Sequence, residues 1–289
     1  MNDFSGNLKL AVPNKGSLSE EAVSLLKRAG YRCTRSGREL VIRDTANKID
    51  FVFLRPRDIA LYVGNGIIDL GITGRDLEID SGAEVEELMP LEFGRSRFCF
   101  AVPKNSGLTV EKLAGLRIAT SYPELLRRNL DRLGIKDCKI VKLDGAVEIS
   151  IRLGVADAIA DVVESGSTLR EAGLEIIGEP MIFSEAVLIG RSEELLENHD
   201  VRRLLGRLKG ILVARNYAML EYDIPRNALD AACKLTPGIE SPTVSPLSNP
   251  DWVAVTAMIS RKDSNRIMDE LYEIGARGII VTDIRSCRL

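Results

Sequence analysis

Residues 154–169, GVADAIADVVESGSTL, decide how this chain is read. Ala158 to Val163 is a continuous apolar run of strand length, which reads as a buried strand. Asp161 sits inside that run, and an unpaired buried carboxylate is costly enough to demand a partner. Directly after it, Ser165, Gly166, Ser167 and Thr168 bring hydroxyls and backbone N–H groups to a helix N-terminus, where free donors and the helix dipole favour an anion. A sugar phosphate satisfies both demands. The same residues also fit a simpler pattern, with Thr168 and Glu171 as a T-x-x-E capping box and Asp161 paired to a basic side chain.

Outward from this stretch, short apolar strands alternate with amphipathic helices. LKLAV precedes a helix near Ser19 to Ala29, IDFVFL a helix ending at Val63, and IIDLGIT a further helix, which is the pattern of an α/β fold with a largely parallel sheet. RFCFAVP near Arg97 and EAVLIG at 185–190 read as two crossings between lobes. Between them RIAT, a helix over Pro123 to Leu133, KIVKL, a helix over Val147 to Leu153 and AIADVV make a second α/β unit. Ligands in such sheets bind beyond the carboxyl ends of strands, where Asp161 to Thr168 fall. A helical face over Glu193 to Ala214 reads as closing this part. Beyond it, strands at 217–222, 239–244, 252–259 and 278–284 with helices at 225–234 and 264–274 give the order βαββαβ, the ferredoxin-like arrangement.

The net charge of −3 over 289 residues, with no Lys/Arg block, argues against a nucleic-acid surface. No basic head with an apolar core opens the chain and no apolar run approaches about eighteen residues, so neither export signal nor membrane span is expected, and the cytoplasm is the expected location. Five cysteines stand at least 39 positions apart with no C-x-x-C pair, as reduced packing thiols do. The single histidine, His199, excludes a His-ligated metal or a Ser-His-Asp triad in practice and reads as a solvated helix start.

The remaining chemistry rests on other groups. Lys15 and Gly16 follow the first strand ahead of a helix read as capped by Ser17 and Glu20, a position suited to phosphate or to a solvated turn. Arg55 and Arg57 leave the strand IDFVFL; Arg55 adjoins it and is the better placed to grip phosphate. GITGRD puts Gly74 and Asp76 at another strand exit. Neither the G-x4-GK[ST] nor the G-x-G-x2-G spacing occurs, which argues against a P-loop ATPase or Rossmann dehydrogenase.

The longer run DGAVEISIRLGVADAIADVVESGSTL, Asp144 to Leu169, resembles the signature of ATP phosphoribosyltransferases, which open histidine biosynthesis. Its E-x5-G core stands as Glu148 and Gly154, and its D-x3-SG-x-TL end as Asp161, Ser165, Gly166, Thr168 and Leu169. VPNKGSLSE, FLRPRDIALYVGNGIIDLGITGRD and RIATSYPELLR agree with the same family, and ESPTVSPL with VTDIRSCRL resembles its long form. The resemblance implies a two-lobed catalytic part like a periplasmic binding protein (lobe I from residues 1–95 and 180–214, lobe II from 96–179) and an ACT-like ferredoxin domain over 215–289. It implies transfer of phosphoribosyl from phosphoribosyl pyrophosphate to N1 of ATP with Mg²⁺. Ser165 to Leu169 then hold the 5-phosphate, Asp157 and Asp161 compete for the ribose hydroxyls, with Asp161 preferred, and Glu148 orients the sugar or pairs with an arginine. Lys15, Gly16, Arg55, Gly74, Asp76 and Tyr122 face the nucleotide, although a Tyr-Pro pair also serves as a helix-start staple. It implies further a homo-oligomer, a dimer building to a hexamer, with histidine as feedback inhibitor near Asp223, Ile239, Ser241 and Thr243. Asp223 reads equally as an N-cap beside Pro225.

Overall fold

A computed structural model describes residues 6–37 and 39–288. Met1–Ser5, Arg38 and Leu289, the last residue of the expected third domain, lie outside the described residues. The chain forms two compact units, one of residues up to Lys27 with Tyr31–Val201, the other of Arg28–Gly30 with the residues from Arg202 onward.

The first unit holds two sheets. One carries β1 (Leu8–Pro13), β2 (Val41–Asp44), β3 (Ile49–Leu54), β4 (Leu70–Gly74), β5 (Glu86–Pro90) and a strand contributed much later in the chain. The second carries β6 (Ser96–Pro103), β7 (Arg117–Thr120), β8 (Lys139–Lys142), β9 (Ala158–Val163) and β10 (Leu174–Ser184), after which β11 (Ala186–Gly190) returns to the first. Their orders are β2-β3-β1-β4-β11-β5 and β10-β6-β9-β7-β8. The chain thus crosses between sheets twice, before β6 and after β10, the two-lobed arrangement of periplasmic binding proteins. Parallel pairing of β1 with β3 and β4, and of β7 with β8 and β9, sends the carboxyl ends of the strands the same way within each lobe.

Helices follow those ends: α1 (Ser17–Arg28), α2 (Pro56–Gly64) and α3 (Arg75–Ser81) in the first lobe, and α4 (Pro123–Leu133), α5 (Ile149–Arg152) and α6 (Ser167–Glu171) in the second. Apart from Asp161, strand β9 is apolar because both its faces are covered along most of its length. Ala158 and Ala160 join Phe98, Phe100, Ile118, Leu125 and Leu126 on one side, while Ile159 and Val163 join Cys99, Ala119, Val147 and Leu169 on the other. Phe98, Phe100, Leu125 and Leu126 are at most 1% exposed, each burial being worth about 1.5–3 kcal/mol.

The helix expected from Glu193 becomes a 3-10 turn at Glu193–Glu197 and then α7 (His199–Asn216), which His199 opens with its ring exposed. The second unit continues with β12 (Tyr217–Pro225), α8 (Leu229–Leu235), β13 (Thr243–Pro246), β14 (Trp252–Ser260), α9 (Ser264–Glu273) and β15 (Arg277–Asp283) in the sheet order β13-β14-β12-β15. This is the ferredoxin-like βαββαβ topology. Alternate residues of β12 and β14, among them Leu220, Tyr222, Ile224, Val253 and Val255, turn inward onto Ile267 and Leu271 of α9. The Tyr222 hydroxyl meets Thr236 Oγ1 at 2.7 Å, and the same Thr236 hydroxyl lies 3.0 Å from the Ala232 carbonyl. Tyr222→Phe is therefore expected to cost about 1 kcal/mol in urea denaturation, since the threonine keeps its other partner. A loss above about 3 kcal/mol would mean that Thr236 depends on the phenol.

All five cysteines are free thiols. Among the described residues no helix is long and apolar enough to cross a membrane.

Candidate functional site

Asp161 lies near the carboxyl end of β9, across from Cys99 of β6. Its Oδ1 accepts the N–H of Val162 at 2.8 Å. Burial, with Glu148 and Asp76 nearby, pushes its carboxyl from 3.8 up to about 6, against the opposing pull of the Val162 N–H and Arg57. The strand then opens into Glu164–Ser167. Gly166 takes φ 73°, a left-handed conformation open to glycine, and starts α6 with no side-chain cap. The capping box of Thr168 and Glu171 does not form. Instead Ser165 and Ser167 share a 3.0 Å hydroxyl contact, and Arg170 Nη1 donates to the Ser165 carbonyl at 3.1 Å. Ser165, Ser167 and Thr168 are exposed, whereas Leu169 is buried beneath them. The turn therefore presents hydroxyls and N–H groups to solvent beside a desolvated acid.

A second cluster joins the two lobes. Gly74 precedes α3 in extended conformation, and a Cβ there would lie 2.4 Å from Asp76 Oδ1, so glycine lets the aspartate fold back. Asp76 is 6% exposed. Its Oδ1 accepts the Ser184 hydroxyl at 2.6 Å, and its own N–H donates to Ser184 Oγ at 3.0 Å. From the other lobe, Tyr122 comes near Asp76; burial, then the charges of Asp76 and Asp161, hold its phenol far above the ordinary range. The Tyr122 ring stands edge-on to Phe98 at 5.8 Å, so the staple role and the site role coexist. Arg57 stacks over the same ring at 4.9 Å and pairs with Asp80 at 2.7 Å.

The two arginines at this strand exit have different surroundings. Arg55 is the exposed residue preceding α2, while Arg57, the second residue of the helix, reaches Tyr122 and the field of Asp161. The structure corrects the place of Asp157. Its carboxylate takes the backbone N–H, Nε and Nη2 of Arg117 at 2.9, 3.0 and 2.7 Å, which hold its acid below the ordinary range. It stands before the amino end of β9, roughly 13 Å along the strand from Asp161 at about 3.3 Å per residue. It is a strand-start tether and leaves the site.

Glu148 precedes α5 and has no arginine in ion-pair range among the described residues, so its charge acts on Asp161. Lys15 and Gly16 are exposed where β1 meets α1, with Gly16 at φ 78°. The Gly16 carbonyl accepts the N–H of Ser19 and Glu20, and Ser19 rather than Ser17 ties the turn, its hydroxyl donating to the Pro13 carbonyl at 2.6 Å. Beside them the buried Asn14 Oδ1 has no hydrogen-bond partner, an acceptor left for a ligand donor. Arg35 stacks on Phe53 at 4.5 Å and donates to the Asn14 carbonyl at 2.7 Å.

The family model for ATP phosphoribosyltransferase matches residues 55–210, and that for the HisG C-terminal domain matches 214–286. The chain is 56% identical over 283 residues to an ATP phosphoribosyltransferase of Salinibacter ruber and 57% identical over 286 residues to one of Arthrobacter sp. strain FB24, covering 98% of this chain and 100% of each relative. The chain belongs to the ATP phosphoribosyltransferase family. It is a phosphoribosyltransferase of histidine biosynthesis. Among solved structures, an ATP phosphoribosyl transferase (HisG:HisZ) complex from Thermotoga maritima aligns with TM-score 0.60 and 28% identity, over 70% of this chain and 96% of that chain.

In the C-terminal unit, Asp223 lies inside β12, half-buried, opposite Ala254 of β14 and Arg277 of β15. It is not an N-cap; the 3-10 turn after the strand starts at Pro225 without a side-chain cap. Thr243 opens the exposed edge strand β13, and Ile239 and Ser241 lie exposed in the loop before it.

Proposed function

We propose that this chain transfers the 5-phosphoribosyl group of phosphoribosyl pyrophosphate to N1 of ATP. The N1 lone pair forms the new bond to C1 of the ribose, the C1–O bond breaks, and its electron pair leaves with pyrophosphate. Adenine N1 carries no proton, so positioning and charge stabilisation do most of the work. The observation that carries this reading is the exposed Ser165–Thr168 turn beside a desolvated Asp161 that also feels Asp76 and Arg57 from the facing lobe.

In this reading the turn holds the 5-phosphate, with Leu169 anchoring it from below. Asp161 accepts from the ribose hydroxyls and faces the positive charge that develops at C1. Glu148 orients the sugar. Lys15 and Arg57, with Arg55 at the rim, hold polyphosphate; Gly16 gives close backbone approach. Asp76 and Tyr122, fitted together by Gly74, border the nucleotide.

Among the described residues no three acids, cysteines or histidines stand together as a complete metal site. The oxygen donors of Asp161 and Glu148 suit a Mg²⁺ shared with substrate phosphates and water, and such an ion neutralises the leaving pyrophosphate.

Residues 1–95 with 180–214 and 96–179 serve as the two catalytic lobes in a cytoplasmic homo-oligomer, a dimer building to a hexamer. Residues 215–289 bind histidine as feedback inhibitor through Asp223, with Ile239, Ser241 and Thr243. The carboxylate on β12 supports this, being of the right charge for an amino-acid cation.

Thr168→Ala tests the phosphate turn. Loss of a hydroxyl bond to a charged group removes ~1.5–3 kcal/mol, so calorimetry should find phosphoribosyl pyrophosphate binding weakened about tenfold or more and ATP binding little changed. Because Thr168 caps nothing, the melting temperature should hold. Unchanged affinity with a lowered melting temperature would return Thr168 to a purely structural role.

A further inference from the structure

We propose that Asp80 is a positioning residue for the reaction, fixing both Arg57 and the start of α4 so that Arg57 and Tyr122 meet substrate as one unit. The proposal rests on the assignment of Arg57 to substrate phosphate. Asp80 lies on α3, in the first lobe, with only 7% of its side chain exposed. Its two oxygens have separate tasks. Oδ2 takes Arg57 Nη1 at 2.7 Å, and Oδ1 takes the N–H groups of Glu124 and Leu125 at 2.9 and 3.1 Å.

Those N–H groups belong to the first turn of α4, whose local N-cap, Tyr122, supplies no side-chain acceptor and whose next residue is Pro123. The helix therefore has its opening donors satisfied from 44 and 45 residues away, in the other lobe. A neutral acceptor would suffice for capping alone. The charge does more: it holds the guanidinium over the Tyr122 ring, within reach of the Asp161 field. Only Nη1 of Arg57 is engaged among the described residues, so Nε and Nη2 keep their hydrogens for an anion. The ion pair and the cap meet on one carboxylate, and the position of Arg57 follows that of α4.

The test is a double-mutant cycle between Asp80→Asn and Arg57→Gln, with kcat, both KM values and melting temperature measured for each protein. Asparagine keeps an oxygen for the α4 N–H groups but sets its amide N–H against Arg57. Asp80→Asn should raise, about tenfold, the KM of the same substrate that Arg57→Gln weakens. Its kcat and melting temperature should change little, and the double variant should be no worse than Arg57→Gln alone. Independent, multiplying effects would overturn the proposal, as would a lowered melting temperature with both KM values intact. If Arg57→Gln itself leaves both KM values unchanged, the phosphate assignment of Arg57 fails first and the role of Asp80 falls with it. Should Asp80→Asn not fold, Asp80→Ser, which keeps a capping oxygen, takes its place in the cycle under the same criteria.

Discussion

Asp161→Asn is expected to lower turnover by about a hundredfold or more while making the substrate-free protein more stable at pH 7.5. The two effects have one origin. The carboxylate is held in a desolvated position beside Asp76 and Glu148, which raises its acid to about 6 from 3.8. A raised folded-state value means that the native protein binds more protons than the unfolded chain between those two limits. The group's contribution to stability is therefore greatest below about pH 4 and falls as pH rises to about 6. At pH 7.5 the charged form costs up to about 3 kcal/mol, at ~1.4 kcal/mol per unit, and asparagine relieves it. The same negative charge stabilises the positive ribose in the transition state, where a fixed electrostatic partner is typically worth about 10²–10³ in rate. Accordingly kcat/KM of the wild type should climb through an inflection near pH 6 that the asparagine variant lacks. Differential scanning calorimetry and a pH–rate profile read both halves. Wild-type turnover in the variant would remove Asp161 from the site.

Asp223→Ala should leave catalysis intact and raise the histidine concentration for half inhibition at least about tenfold, the loss of one charge-assisted contact. Its carboxylate stands on β12 beside Gly278 of β15, whose φ of 60° suits glycine. Inhibition is a difference in histidine binding between active and inactive states, so a residue that touches histidine alone moves the inhibition curve without moving the substrate KM values. Superimposable curves for wild type and variant would sink the assignment of Asp223, and a wild type indifferent to histidine would sink the regulatory role of the whole unit.

What the sequence made legible follows from range. Strand β9 and helix α4 are found at their true limits because a strand covered on both faces reads as an apolar run, broken here only by Asp161, and Pro123 marks a helix start. Strand β10 escapes notice because Gly178 at φ 65° and Pro180 interrupt it, and its pairing with β6 shifts register between Ile177 and Ile182. Strands β2 and β5 are short edges with little burial, so they carry no clear alternation. The turn after β9 could be read because its donors are contiguous in sequence. The place of Arg57 over Tyr122 is not legible locally, because it depends on how α2 and α4 meet. The tether of Asp157 is not legible in sequence because one strand serves both ends of the sheet, and only the pairing of β7 with β9 brings Arg117 to it. Asp80 and Ser184 left no local signal, since their partners lie 23 to 108 residues away. The missed Arg35 is in the same position, 21 residues from Asn14.

The most direct measurement of the central claim is pyrophosphate release by the purified protein with Mg²⁺, ATP and phosphoribosyl pyrophosphate, with the adenine product characterised by mass and NMR. Release should require both substrates, match product one to one, and yield a ribose 5-phosphate joined to adenine N1. Pyrophosphate formed without ATP, or a product substituted anywhere but N1, would contradict the account.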